Sequence, residues 1–241
     1  MRNVVVVPTY QEAGNVDRFL RTVRASAPNV DILIVDDNSP DGTGEIAEKV
    51  AADLGRISVL HRSAKDGLGA AYRQAFGQVL AEDYDVIVQM DCDLSHDPAM
   101  IPALIAAVAD GADCAIGSRY VPGGATPDWP LRRQLLSRYG NRYTSAVLGL
   151  DIADATSGFR AYRAETLRRI DVGTTTSTGY AFMGELAHRM VREGMKIEEI
   201  PITFVDRTYG TSKMSTRIIV ESMVLVTGRG IKARLGRKRS D

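Results

Sequence analysis

Val86-Ile87-Val88-Gln89-Met90-Asp91-Cys92-Asp93 is the stretch from which the rest of the chain can be read. A short apolar, β-branched run stops at two aspartates separated by one small residue. Such a run reads as a buried strand of a parallel sheet. In open α/β sheets, ligands bind beyond the carboxyl ends of the strands. Asp91 and Asp93 are therefore expected at a strand tip, facing one ligand. Two carboxylates that close repel each other unless a cation lies between them. A hard divalent ion such as Mg²⁺ or Mn²⁺ takes carboxylate oxygens and shares itself with substrate phosphates. Taken alone, the same residues also read as a turn with two solvated aspartates.

The surrounding chain repeats the pattern. Val4–Val7, Ile32–Val35, Ile57–Leu60 and Cys114–Ile116 read as further strands. Between them lie helical stretches ending near Ala25, following Thr43, and spanning Gly67–Leu80 and Pro98–Ala109. Strand–helix alternation at this spacing predicts βαβ units and a mostly parallel sheet flanked by helices. Polar residues gather after four strands, at Pro8–Glu12, Asp36–Asp41, Asp91–Ser95 and Gly117–Arg119. All four clusters fall on one sheet edge, as a binding site requires. Neither G-x-G-x-x-G nor G-x-x-x-x-G-K-[ST] is present, so the usual glycine-rich phosphate cradles are excluded.

The 241 residues are 44% hydrophobic and 25% charged, enough for one large α/β domain with a sizeable core. Thirty basic and thirty acidic side chains balance, and no nucleic-acid-binding motif is present, so a nucleic-acid partner is not expected. Cys92 and Cys114 form no zinc pattern and read as buried, reduced thiols of a cytoplasmic protein. The apolar run after Met1 is too short for a signal peptide, and no run approaches the ~20 residues of a membrane span.

Beyond Arg119 the rhythm changes. Val121–Trp129 reads as a loop, and Arg132–Leu148 as a helix with a basic, aromatic face. A turn at Asp154–Gly158 leads into a short strand, Phe159–Tyr162. Ala181–Arg192 reads as a helix, and Ile197–Val205, interrupted by Pro201, as an edge strand. Arg207–Lys213 is small, polar and basic, as suits a loop over a phosphate. A helix at Arg217–Thr227 precedes a basic tail with Arg229, Lys232, Arg234, Arg237, Lys238 and Arg239. That tail reads either as an amphipathic anchor to an anionic bilayer or as a solvated, frayed terminus.

Five motifs occur in order: Val4–Glu12, Ile34–Thr43, Met90–His96, Gly117–Tyr120 and Thr156-Ser157-Gly158-Phe159-Arg160. This ordered set resembles the family-2 glycosyltransferases of GT-A fold, and among them the polyprenol-phosphate mannosyltransferases of the dolichol-phosphate mannose synthase type. The resemblance implies a GT-A domain over residues 1–213, with a nucleotide-sugar half (1–119) and an acceptor half with a lid loop (120–213). Residues 214–241 would form a helical docking tail. It also implies transfer of mannose from GDP-mannose to a polyprenyl monophosphate, with inversion at the anomeric carbon. Pro8, Tyr10, Glu12, Val35 and Asp37 would line the nucleoside pocket, with Cys92 touching the nucleotide through its backbone. Asp91 and Asp93 would hold Mg²⁺ or Mn²⁺. Ser95 stands where the family commonly has a Gln ligand, so its shorter hydroxyl would bind directly, through water or not at all. Arg119, Arg207 and Lys213 would meet acceptor phosphate, with Asp91, Asp93 and Arg119 the catalytic set. His96 is expected to be a turn or surface histidine, and Asn38 and Asp41 to form turns and caps; for Asp36 that reading stands as an open alternative. A lipid-borne acceptor implies a peripheral protein at the cytoplasmic membrane face, docked by its tail to lipid or to a membrane protein. Two rival readings are a transferase using a UDP-sugar and a nucleotide-sugar-binding, non-catalytic subunit of a membrane complex.

Overall fold

The computed structural model describes residues 1–179, 181–207, 223–228 and 230. The first half alternates as expected: β1 (Asn3–Thr9), α1 (Val16–Ser26), β2 (Asp31–Asp36), α2 (Thr43–Leu54), β3 (Ile57–His61), α3 (Leu68–Leu80), β4 (Val86–Gln89), α4 (Ile101–Ala109) and β5 (Cys114–Ser118). Then follow α5 (Leu131–Leu148), β6 (Arg160–Arg163), α6 (Ala164–Arg169), α7 (Ala181–Arg192) and β7 (Ile197–Pro201). Residues 223–228 are helical. The sequence reading had no counterpart for α6, which is only six residues long and lacks room for a periodic signal.

The seven strands form one sheet in the order β3-β2-β1-β4-β6-β5-β7. Every neighbouring pair is parallel except those made by β6, which runs antiparallel to both β4 and β5. Val4–Val7 and Val86–Val88 are essentially inaccessible, as expected for strands covered on both faces. Alternation along the strands divides the core in two. Leu33, Val35 and Ile87 pack with α3 and α7, while Ile32, Ile34, Val86 and Val88 pack with α1 and α4. Both cysteines are free and buried.

The topology itself assembles a site. β1, β2, β4, β5 and β7 all end at one edge. β6, being reversed, begins there, so the turn leading into it arrives beside the end of β4. The seventh strand ends at Pro201, shorter than expected. The Ile202 N–H still donates to the Ser118 carbonyl of β5 (3.0 Å), and the chain then turns toward the loop after β5. Ala125 donates to the Ile202 carbonyl (3.0 Å), Phe204 to that of Ala125 (2.9 Å) and Val205 to that of Ser95 (3.2 Å). This crossing carries Arg207 back over the end of β4.

Candidate active site

A cleft of about 470 Å³ opens at the carboxyl edge of the sheet. Its walls include Pro8, Tyr10 and Glu12 after β1, Asp37 after β2, and Asp91, Cys92 and Asp93 after β4. Thr156 and Gly158 before β6, Arg207 after β7, and Leu225 complete the far side. Five strand ends thus bring together most of the residues singled out from sequence.

The β1–β2 side is held by short polar links. Asp36 accepts from Thr9 and Ser39 hydroxyls (3.2 and 2.6 Å) and from the Ser39 N–H (3.0 Å). Asp41 accepts from the Thr43 and Ala13 N–H groups (3.2 and 3.1 Å), tying the loop after β1 to the start of α2. Asn38 adopts φ +56°, a left-handed conformation that asparagine tolerates. Asn38 and Asp41 are turn and capping residues, as expected, and Asp36 fastens the same turn through Ser39. Asp37 instead faces the cleft and pairs with the buried guanidinium of Arg62, which also donates to Gln74 (2.9 Å). Burial pushes the Asp37 carboxyl above its ordinary pKa, and Arg62 offsets this only in part. Across from it, Lys65 Nζ lies 3.8 Å over the Tyr10 ring centroid, a cation–π contact. Sequence reasoning missed Arg62 and Lys65. The signal was the polar stretch after β3, the one parallel strand of the first half whose end was passed over.

Asp91 and Asp93 stand at the cleft floor with unequal surroundings. The Asp91 side chain is 47% exposed, with His96 Nε2 at 3.8 Å. The Asp93 side chain is 7% exposed, accepts from the Ser95 N–H (3.0 Å) and pairs with Arg207 (3.1 Å). Ser95 itself is buried and does not line the cleft; the chain uses its backbone, which also receives Val205. His96 departs from expectation: it is 2% exposed, wedged between Phe159 and Phe204 with ring centroids 5.2 and 5.1 Å away. Burial drives its pKa down to about 4, so it is a neutral imidazole near pH 7. The donor set suits a hard divalent ion. Asp91 offers an accessible carboxylate, and the guanidinium on Asp93 marks a place where positive charge is already stabilised. Among the described residues no group of three or more His, Cys, Asp and Glu side chains could hold a metal. An ion here would therefore complete its shell with phosphate oxygens and water, the habit of Mg²⁺ and Mn²⁺.

Two expected ligands lie elsewhere. Val35 is fully buried in the core beside Leu33, because residues two apart on a strand share a face. Arg119, expected at the acceptor phosphate, does not line the cleft. Its guanidinium grips Asp154 through two bonds (2.7 and 2.6 Å) and donates to the Thr156 hydroxyl (3.0 Å). Burial works against the Asp154 carboxylate, but the charge and hydrogen bonds of Arg119 outweigh it and hold its pKa below the ordinary value. From the other side the fully buried Arg160 donates to the carbonyls of Ala155, Ser157 and Met183 (2.7, 2.8 and 3.0 Å). Together the two arginines clamp the turn that sets Gly158 beside Asp91. Lys213 and the basic residues of the tail lie outside the described residues.

A family model described as Glycosyl transferase family 2 matches residues 4–171. The polyprenol monophosphomannose synthase of Mycolicibacterium smegmatis is 47% identical over 239 residues, covering 99% of this chain and 90% of its own length. The undecaprenyl-phosphate mannosyltransferase of Micrococcus luteus is 47% identical over 234 residues, covering 97% and 96%. Among solved structures, a mannosyltransferase from Pyrobaculum calidifontis in complex with GDP-Man and Mn²⁺ aligns with TM-score 0.66 at 16% identity, over 96% of this chain and 64% of that one. Glucosyl-3-phosphoglycerate synthase from Mycobacterium tuberculosis, with Mn²⁺ and UDP, aligns with TM-score 0.69 at 18% identity, over 95% and 78%. These structural likenesses place the fold among GT-A glycosyltransferases. On the sequence matches, the chain belongs to glycosyl transferase family 2.

Proposed function

We propose that the protein transfers mannose from GDP-mannose to a polyprenyl monophosphate, using Mg²⁺ or Mn²⁺ at Asp91 and Asp93. The observation that carries this reading is the 47% identity, nearly end to end, with two relatives whose names specify a mannosylated polyprenol product or a mannosyl transfer to a polyprenyl phosphate. The cleft supports it. Tyr10 offers a flat face to the base, and Asp37 offers carboxylate oxygens to ribose hydroxyls or a base N–H. Asp91 and Asp93 would hold the metal, which when bound neutralises charge on the diphosphate leaving group.

The remaining chemistry is asked of few residues. An acceptor phosphate oxygen attacks the anomeric carbon, its bond to the GDP oxygen breaks, and that electron pair leaves with GDP. The attacking oxygen is already anionic at neutral pH, so no general base is required. This agrees with a neutral His96 that packs among aromatics. Arg207, which pairs with Asp93 at the cleft, would turn its guanidinium to a phosphate that enters. Lys213, six residues on, would add a second cation. The site would work at the cytoplasmic face of the membrane, where the lipid-borne phosphate is presented.

Transfer of radiolabelled mannose from GDP-mannose to a short polyprenyl phosphate, with and without Mg²⁺ or Mn²⁺ and beside UDP-glucose as competing donor, tests the reading. Metal-dependent mannosyl lipid is expected. Product from UDP-glucose alone would overturn the donor, and product that survives chelation would overturn the metal.

A further inference from the structure

The proposed reaction gives His96 no role, yet its imidazole sits at the turn after β4 in a setting that costs stability. Phe159 meets the ring at 38° and Phe204 nearly edge-on at 81°. An antiparallel bridge joins His96 to Phe204 along the backbone, and Val205 then donates to the Ser95 carbonyl (3.2 Å). The ring therefore has little freedom to turn. Its Nδ1 is buried and has no hydrogen-bond partner among the described residues. An apolar ring of similar shape would fill the same space without that unmet nitrogen. Packing alone is thus no reason for a histidine here.

The backbone explains where the ring lies. Leu94 adopts φ +57°, a left-handed conformation uncommon outside glycine. Together with the Ser95 N–H on Asp93 (3.0 Å), it turns the chain sharply and returns His96 to the flank of Asp91. The two ring nitrogens then meet different surroundings. Nε2 is 3.8 Å from Asp91 Oδ2. A neutral imidazole carries one N–H and one lone pair. With the proton on Nδ1, a donor would be buried unmet and a lone pair would face the carboxylate. With the proton on Nε2, the N–H faces the carboxylate and the lone pair rests among the aromatic rings. The surroundings therefore favour the Nε2–H tautomer. Burial, with Arg119, keeps the ring neutral near pH 7 against the pull of Asp93 and Asp154. A neutral N–H can hold a carboxylate without competing with a cation for it. Asp93 differs, because its neighbour Arg207 is itself a cation.

We infer that His96 is a positioning residue: its Nε2–H steadies Asp91 in the orientation that takes up a divalent cation. The ring is wedged, whereas the Asp91 side chain is 47% exposed, with Gly158 beside it where a Cβ would lie 3.5 Å from Oδ2. The carboxylate, not the ring, moves to close the remaining distance. One carboxylate oxygen then serves the imidazole and the other the cation, the division that outer partners of metal ligands commonly impose. The inference rests on the proposed metal at Asp91 and Asp93 and goes beyond it by naming what orients the exposed ligand.

The test measures GDP binding to the full-length chain by calorimetry, with and without Mn²⁺, for the parent, His96→Phe and His96→Gln. Phenylalanine keeps an aromatic ring between Phe159 and Phe204 but has no donor. Glutamine loses the ring yet carries an N–H of similar reach. With Mn²⁺, His96→Phe should bind GDP about tenfold more weakly than the parent, and His96→Gln within about threefold of it. Without Mn²⁺ all three should bind GDP alike, and the thermal midpoint of His96→Phe should not fall below the parent's. Parental affinity of His96→Phe in Mn²⁺ would overturn the inference and leave the metal reading standing. Weaker binding by His96→Gln than by His96→Phe, the order that packing alone predicts, would overturn it too, as would a loss in His96→Phe that appears equally without Mn²⁺. A parent whose GDP affinity ignores Mn²⁺ would remove the metal reading and the inference together.

Discussion

Two buried arginine–carboxylate pairs flank the cleft, and their settings differ. On the β1–β2 side, Asp37 pairs with Arg62 while its carboxylate faces the cleft, and burial leaves its pKa above normal. On the α5 side, Asp154 is wholly inaccessible, is gripped twice by Arg119, and has its pKa below normal. A carboxylate held against its preference at a cleft is poised for a ligand's donors. One fully matched inside the fold is a fastening. Asp93 and Arg207 lie between these extremes: they meet at 3.1 Å, with the Asp93 side chain 7% and the arginine side chain 25% exposed. On the proposed reading, that pair would open when a metal ion and a phosphate enter the cleft.

The sharpest way to break this comparison is Asp93→Ala. Transfer should fall by about 10³-fold or more, as for loss of a major electrostatic stabiliser, while the thermal midpoint stays near that of the parent. Full activity would remove Asp93 from the site. Next is the fastening: Arg119→Met should cost about 3–5 kcal/mol in urea unfolding, because Asp154 is left charged and buried. Arg207→Met should cost about 1 kcal/mol or less yet lose activity. If both arginines behave alike, the distinction between fastening and working cation fails. Tyr10→Ala should raise the KM for the donor about tenfold, the loss of one stacked base, with kcat little changed.

The smallest effect concerns pH. Asp154 has a depressed pKa in the folded state, so its contribution to stability is complete above the ordinary carboxylate range. It fades as the pH falls below about 4 toward the depressed value. Asp37, with a raised pKa, has the opposite sign: it favours the fold below the unfolded pKa and loses that advantage as pH rises through the folded one. Asp154→Asn should therefore flatten the acid limb of a stability–pH curve, and Asp37→Asn should not. Equal limbs in the two variants would show that the pairs are electrostatically equivalent.

Much of this was legible in the chain. Apolar runs ending in Pro8–Glu12, Asp37 and Asp91–Asp93 place those residues at one edge because parallel strands all point the same way. The reversed β6 was not legible, since a four-residue strand carries no sign of its direction. It is that reversal which brings Thr156 and Gly158 beside Asp91. Arg119 shows the limit of reading strand ends: position gives the neighbourhood of a side chain but not its partner, and Asp154 lies 35 residues away. Val35 and Ser95 were misplaced for a related reason. One residue along a strand or turn exchanges cleft for core, and only packing decides which. The polarity of α5 could be seen as a basic, aromatic face, but only its neighbours reveal that Leu131, Leu135 and Leu136 are exposed.

The account rests on Asp91 and Asp93 holding a cation that in turn holds a nucleoside diphosphate. Calorimetric titration of GDP, with and without Mn²⁺, into the parent protein and Asp91→Asn tests this most directly. The parent should bind GDP at least about tenfold more tightly with Mn²⁺, a gain of roughly 1.4 kcal/mol, and Asp91→Asn should lose that gain while keeping the weak metal-free affinity. GDP binding that is indifferent to Mn²⁺, or a gain that survives Asp91→Asn, would contradict it.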